Sequence, residues 1–158
     1  MSLYADYLFP VVLDVATKPL KPQRQQILAQ AQGRVLEIGI GTGANLPFYS
    51  DKAREIVGIE PELAMLKKAQ TMAKKAPPHT QVKLAIGDAH HLEFAENSFD
   101  TVIMCLVLCT IPNPLQALKE AYRVLKPSGE LLFLEHVRSD LPWLSSCQNM
   151  LNPLWNHV

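Results

Sequence analysis

The chain has no surplus of charge of either sign: 15 lysines and arginines stand against 15 aspartates and glutamates in 158 residues. Without a basic field there is nothing to gather a phosphate backbone, so nucleic acid is excluded as the expected partner and a small molecule takes its place. Cysteine is scarce. Cys105, Cys109 and Cys147 are odd in number and form no CxxC pair, which argues against a disulfide framework or a zinc site and fits a reducing compartment. No segment reaches the ~20 apolar residues that a bilayer-spanning helix needs. Asp6 and Asp14 interrupt the apolar residues at the start with no basic region before them, so no signal peptide is read there and the expected location is the cytoplasm. Glycine is sparse too, seven in all, and that makes its clustering informative.

Three of the seven fall in one tract, VLEIGIGTG, Val35 to Gly43, where an apolar run ends in the single carboxylate of Glu37 and then in Gly39, Gly41 and Gly43. A residue without a Cβ takes positive φ easily and lets the backbone approach a ligand closely, so this spacing between a strand and a helix describes a cofactor bed. The glycines alone do not name the cofactor. Gly39-x-Gly41-x-x-Ala44 satisfies the dinucleotide fingerprint, and Glu60 lies near the ~20-residue offset at which such folds hold a ribose.

With 48% hydrophobic and 19% charged residues, the chain can bury one sizeable core, and one compact domain is expected. Apolar runs at Val35–Ile38, Glu55–Ile59, Val82–Ile86, Thr101–Met104 and Leu131–Leu134 read as buried strands. Glu62–Lys75 places Leu63, Leu66 and Ala69 on one helical face and ends at Pro77-Pro78. Leu115–Leu125 repeats the period with Leu118, Ala121 and Leu125 and ends at Pro127-Ser128-Gly129. Strand and helix alternate, which predicts an α/β fold with a parallel sheet and helices on both faces. The first thirty residues read as two helices broken at Lys18-Pro19, with Tyr4, Tyr7 and Phe9 available as an aromatic lid or as core.

In an open parallel sheet the ligand lies outside the carboxyl ends of the strands, at the point where strand order reverses. The residues just after each run are therefore the candidates: Gly39 to Gly43, Glu60-Pro61, Gly87-Asp88-Ala89, and Cys105-Leu106-Val107. One Glu60 carboxylate can accept from two vicinal ribose hydroxyls, its alternative being a solvated strand end. Asp88 can accept from an adenine amino group while the Ala89 N–H donates to a ring nitrogen; the same carboxylate could cap the turn that follows. Glu37 either braces the loop or stands near the cationic end of a cofactor.

VLEIGIGTG, VGIEPELAMLKKA, GDAHHLEFAENSFDTVIMCLVLCTIPNP and LKEAYRVLKPSGELLFLEHV, in that order, resemble the motifs of class I S-adenosylmethionine-dependent methyltransferases over about Gly33 to Val137. A nicotinamide-dependent oxidoreductase would explain the glycines and Glu60 but not Gly87-Asp88-Ala89, Ser98-Phe99-Asp100 or the RVLKPSGELL turn. Within that superfamily, Gly41-Thr42-Gly43-Ala44-Asn45, Leu106-Val107-Leu108-Cys109 and Glu135-His136-Val137 look closest to the branch of membrane-anchored mammalian thiol methyltransferases and bacterial phospholipid or quinone methyltransferases. No hydrophobic N-terminal anchor like theirs is read in these residues, so a membrane habit is not part of the expectation.

The resemblance implies a Rossmann-like doubly wound sheet in one S-adenosylmethionine-binding domain: N-terminal helices over 1–32, a cofactor core over 33–137 and a tail helix over 138–158. It places Gly39, Ile40, Gly41 and Thr42 along the methionine and ribose, Glu60 on the ribose hydroxyls, Pro61 and Met65 on the adenine, and Asp88 and Ala89 at its edge. Cys105 and Leu106 would support the methionine amino end through their backbone, so neither Cys105 nor Cys109 needs a reactive thiol. A sulfonium methyl is already activated, and the protein's part is chiefly to align an acceptor for in-line displacement with water excluded. No catalytic residue is assigned. His136 is the nameable candidate base, and His90 and His91 read as loop residues, with no metal expected.

The acceptor is expected to be small and apolar, in keeping with the neutral charge and the apolar tract Leu141–Trp155, which could also touch a membrane surface. A non-catalytic S-adenosylmethionine-binding role is the remaining alternative. The family usually ends in an antiparallel hairpin beside the fifth strand, for which these residues leave no room. Leu131–Leu134 is therefore expected to be a sheet edge that pairs with a second copy, is covered by the tail helix or reflects a shortened chain, with a tendency to dimerise or aggregate through it and with cofactor binding retained better than turnover.

Overall fold

A computed structural model describes residues 18–135. After a 3-10 turn at Lys18–Leu20 come α1 (Lys21–Leu28), β1 (Gly33–Ile38), a 3-10 turn at Leu46–Phe48, β2 (Ala53–Glu60) and α2 (Leu63–Met72), which runs into a 3-10 turn at Ala73–Lys75. Then follow β3 (Gln81–Ile86), β4 (Phe99–Cys105), a 3-10 turn at Leu108–Thr110, α3 (Pro114–Val124) and β5 (Leu125–Leu134). The five strands form one sheet in the order β3-β2-β1-β4-β5, and every neighbouring pair is parallel. Chain order reverses between β1 and β4, which is the switch point where the strand ends leave a crevice.

Period-two alternation along the central strands sends side chains to two separate apolar layers. Val35, Ile56 and Ile103 join Leu28 of α1 and Leu66 and Ala69 of α2 on one face. Leu36, Ile38, Val57, Ile59, Val102 and Met104 join Ala117, Ala121 and Val124 of α3 on the other. The doubly wound parallel sheet expected from the alternation is thus present. Asn113 starts α3 by accepting from the Gln116 N–H at 3.2 Å, with Pro114 at the first helical position. That cap satisfies one of the helix's otherwise orphaned donors.

Three local expectations need correction. The helix assigned to Leu115–Leu125 starts at Pro114 and stops at Val124, and strand pairing begins at once with Leu125 opposite Phe99. Pro127-Ser128-Gly129, expected to break the helix, instead lie within an irregularity of β5, since the pair after Phe99 with Leu125 is Thr101 with Glu130. Gly129 allows it: a Cβ there would lie 2.9 Å from the Asp100 carbonyl oxygen, too close for any other residue. Leu63 is 56% exposed, so the buried stripe of α2 is Leu66 and Ala69 with Met72 packed alongside. The expected lid aromatics Tyr4, Tyr7 and Phe9, the candidate base His136, Cys147 and the tail tract lie outside the described residues.

The amino ends of the strands are fastened by charge. Asp100 accepts from the Arg34 N–H at 2.8 Å and from Lys126 Nζ at 2.6 Å, bonds that hold its carboxyl below the usual range. The Arg34 guanidinium stacks over Phe99 at 4.5 Å, and Phe94 meets that ring edge-on. Ser98-Phe99-Asp100 is therefore a fastening of β4 to β1 and β5, and it leaves the carboxyl ends free to differ.

Candidate functional site

Gly39, Gly41 and Gly43 have φ of +71°, +56° and +79°, so the tract after β1 alternates into the left-handed region three times, which only glycine does cheaply. The loop is tied to β2 through the N–H groups of Gly39 and Ile40, both donating to the Ile59 carbonyl at 2.9 and 3.0 Å. The three glycines then differ in what surrounds them. A Cβ at Gly39 would run into the Val107 side chain, and one at Gly43 would lie 3.0 Å from Ala69 Cα. At Gly41 a Cβ would meet only Met65 Cε, at 3.7 Å. Gly41 therefore leaves an open face beside Met65. The Ile40 side chain is turned into the core, 4% exposed, so only its backbone faces the bed, and Thr42 is buried.

Glu60 closes the crevice from the end of β2. It is not a solvated strand end: it is 8% exposed, and its two oxygens accept from the N–H groups of Gly41 at 3.0 Å and Glu62 at 3.2 Å. Burial raises its pKa, partly opposed by those two N–H bonds. Pro61 beside it is exposed and Met65 half-buried. The Gly87 N–H reaches the Glu60 carbonyl at 3.4 Å, which brings the end of β3 alongside.

Asp88 is exposed, and its Oδ1 accepts from both the N–H and the ring Nδ1 of His90, each at 2.8 Å. The capping role weighed for Asp88 is thus present, with the carboxyl held below its usual range chiefly by the His90 N–H. His90 Nε2 in turn accepts from the Asn113 N–H at 3.2 Å, which assigns the ring proton to Nδ1. This pair staples the loop after β3, including half-buried Ala89, to the start of α3. Among the described residues no group of three or more His, Cys, Asp or Glu is arranged to hold a metal.

Glu37 lies beneath the bed, 1% exposed. Its oxygens accept from Asn45 Nδ2 and from the Tyr49 hydroxyl, each at 2.7 Å. Of the two roles weighed for it, the brace is the one these bonds display, and it anchors the segment after the glycines to the end of β1. Burial pushes its pKa up to about 7, against the opposing effects of Tyr49, Asn45 and the Arg24 charge. Asn45 and Tyr49 escape sequence reasoning, although a carboxylate on a buried strand must find donors and the polar residues nearest in sequence after it are the first place to look.

The turn after β4 completes the arrangement. Cys105 is half-buried, and burial together with the Glu37 charge pushes its thiol to about 12; Cys109 is raised too, chiefly by burial. Neither thiol is primed as a nucleophile. Leu106 has φ +57°, and its N–H donates to the Leu134 carbonyl at 2.7 Å. Glu135, given no role of its own by the sequence, accepts from the N–H groups of Val107 at 2.9 Å and Leu108 at 3.0 Å. The glycine tract, Glu60, Met65 and the Leu106–Val107 turn thus meet at the switch point, with Glu37 below and Asp88 and Ala89 at one side. A groove of about 440 Å³ near Lys52, Arg54 and Asp100 lies at the opposite end of the sheet, away from this crevice.

A model of a methyltransferase domain matches residues 36–133. A thiol S-methyltransferase of Homo sapiens is 30% identical over 98% of this chain and 67% of its own length. A phosphatidylethanolamine N-methyltransferase of Cereibacter sphaeroides is 32% identical over 75% and 58%. Among solved structures, an S-adenosylmethionine-dependent methyltransferase from Thermotoga maritima superposes with a TM-score of 0.65 at 25% identity, covering 92% of this chain and 67% of that one. The chain thus spans between just over half and about two thirds of the length of these relatives. The nicotinamide alternative finds no support in these likenesses, and the chain belongs to the methyltransferase-domain family, whose members use S-adenosylmethionine.

Proposed function

We propose that the chain is a single methyltransferase domain that binds S-adenosylmethionine at the switch point and transfers its methyl group to a small, uncharged or apolar acceptor. The observation that carries this reading is the open face at Gly41, bordered by Met65 and by the buried carboxylate of Glu60. That combination suits a nucleoside: a close backbone, an apolar side chain for a base and a carboxylate for ribose hydroxyls. Gly39 to Gly43, through their backbone, would hold the methionine and ribose portions. Glu60 would take the hydroxyls, Pro61 and Met65 would pack on the adenine, and Asp88 and Ala89 would read its edge. Cys105 and Leu106 would support the amino end, above the Glu37 brace.

When bound, S-adenosylmethionine supplies an activated sulfonium methyl. The chain's own work is then orientation and exclusion of water in an in-line displacement. Among the described residues no helix is long and apolar enough to cross a membrane, and a cytoplasmic place is part of the same reading. The choice of acceptor draws on the balanced net charge and on relatives named for thiol and phospholipid-amine methylation.

Calorimetric titration tests the cofactor. S-adenosylhomocysteine is expected to bind in the micromolar range and NADH not at all; the reverse would return the site to a dinucleotide. Glu60→Ala is expected to weaken S-adenosylhomocysteine at least tenfold, because two charge-assisted bonds contribute roughly 2–4 kcal/mol. An unchanged dissociation constant would remove Glu60 from the site. Self-association through β5 is part of the proposal: in the described sheet it pairs on one side only, with β4, and Phe133 is 60% exposed. Light scattering after size exclusion is expected to give twice the chain mass, and a monomer at all concentrations would refute that pairing.

A further inference from the structure

Glu135 follows β5 directly and does two different things with its two oxygens. Oε1 takes the N–H groups of Val107 and Leu108, so one atom ties the end of β5 to the turn after β4. That turn carries Leu106 in a left-handed conformation, which persists only where neighbours hold it. It also presents Val107 to Gly39, where a Cβ would strike it. The setting of Glu135 therefore reaches the glycine bed through a single side chain.

Oε2 is buried and has no hydrogen-bond partner among the described residues. A carboxylate oxygen removed from water with nothing donating to it is costly and uncommon. It does not stand alone: among the described residues Asn45 Oδ1 and Arg24 Nε are also buried without partners, and Asn45 is only 6% exposed. The charges of Arg24, Glu37 and Glu135 all act on the Cys105 thiol, which Asn45 also contacts. Asn45 is hydrogen-bonded to Glu37 at the end of β1 and Glu135 follows β5 and holds the turn after β4, so these two unpaired oxygens belong to residues at the carboxyl ends of the strands, beside the bed.

We propose that Glu135 is a ligand-binding residue of this site: while Oε1 positions the turn after β4, Oε2 receives a hydrogen-bond donor from a bound molecule. An ionised carboxylate only accepts, so the ligand group must carry hydrogen, as an ammonium, hydroxyl or thiol does. Two molecules could bring it, the cofactor through its α-ammonium or the methyl acceptor through its reactive group. The inference rests on the methyltransferase reading above and adds to it a residue outside the cofactor motifs.

Glu135→Gln separates the two oxygens. The amide oxygen can still accept from Val107 and Leu108, whereas the other position becomes a donor and can no longer receive one. Wild type and variant are titrated with S-adenosylhomocysteine, which has the ammonium, and with 5′-methylthioadenosine, which lacks it. Methyl transfer from labelled S-adenosylmethionine to 2-mercaptoethanol is followed in parallel. If the cofactor supplies the donor, the variant binds S-adenosylhomocysteine about tenfold more weakly and methylthioadenosine equally well. If the acceptor supplies it, both affinities hold and the KM for the thiol rises about tenfold. Equal behaviour in all three measurements overturns the proposal, as does equal weakening of both nucleosides, which is what a purely structural role would cause. Failure of the wild type to bind either nucleoside would instead strike the cofactor reading.

Discussion

Gly41→Val is expected to lower the affinity for S-adenosylhomocysteine at least a hundredfold while near-ultraviolet circular dichroism stays native. The neighbourhood of each glycine separates this position from the others. At Gly39 and Gly43 a side chain would strike Val107 or the backbone of α2, so substitution there would disturb the fold first. At Gly41 the space beside the backbone is open to Met65 Cε at 3.7 Å, and a valine would project into the crevice. Its φ of +56° makes the change strained, at roughly 1–3 kcal/mol, which a domain of this size can absorb. A hundredfold loss is about 2.7 kcal/mol, a modest demand for branched carbon placed where a nucleoside should lie. Normal affinity in a folded variant would show that the ligand does not use the glycine bed.

Glu37→Ala is expected to cost about 3–5 kcal/mol of stability, and Glu37→Gln far less. The alanine leaves Asn45 Nδ2 and the Tyr49 hydroxyl buried without their acceptor. The glutamine keeps an oxygen for one, and the hydroxyl can turn to accept from its amide. The glutamine also has a signature in pH. Glu37 titrates at about 7 when folded against an ordinary 4.5, so the folded state binds the proton more tightly than the unfolded chain. Stability must then fall as pH rises from the ordinary value through about 7, by up to roughly 3 kcal/mol. Glu60, also raised, acts in the same direction. Glu120, held at about 2 by Arg123, contributes stability that is lost as pH falls from the ordinary 4.5 towards that value, below this window. Urea unfolding at about pH 5 and about pH 8 is expected to show the wild type weaker at the higher pH and the glutamine variant with a much smaller difference. Identical pH dependence in the two proteins would mean that Glu37 is not the buried acid described.

Much of the fold was legible because the signals were local. The five apolar runs all became strands, although β3 and β5 at the sheet's two sides are not the buried strands expected, with Ile86 and Phe133 exposed, and the glycine tract carried its own conformational reason. Each local misreading traces to something a run of residues cannot encode. Leu63 fits the helical period, yet it lies beyond the arc that the sheet covers. Pro127-Ser128-Gly129 looks like a terminator, yet the partner strand begins pairing before it, and a close approach at Gly129 lets the chain bulge and continue. Glu60 and Asp88 could be named from their places after apolar runs, and Glu37 as the single carboxylate within one. The other polar groups were harder to see: Asn45 and Tyr49 come back onto Glu37 only through the turn at Leu46–Phe48, and Glu135 meets Val107 and Leu108 only through the register of β5 on β4.

The strand order also dictates how this domain must come together in time. Val35 faces Ile56 on one side and Thr101 on the other, so the middle strand needs one neighbour about 20 residues away and another more than three times as distant. Closing the longer loop costs about 1 kcal/mol more in chain entropy, and contacts of this kind slow folding. Until β4 arrives, β1 stands as an open edge carrying Val35, Leu36 and Ile38. A chain emerging from the ribosome therefore exposes this edge, and the glycine bed attached to it, until the Phe99–Cys105 segment has been made. The interval in which that edge is unpaired is the vulnerable period for misassembly, and it is set by the same reversal of strand order that opens the crevice.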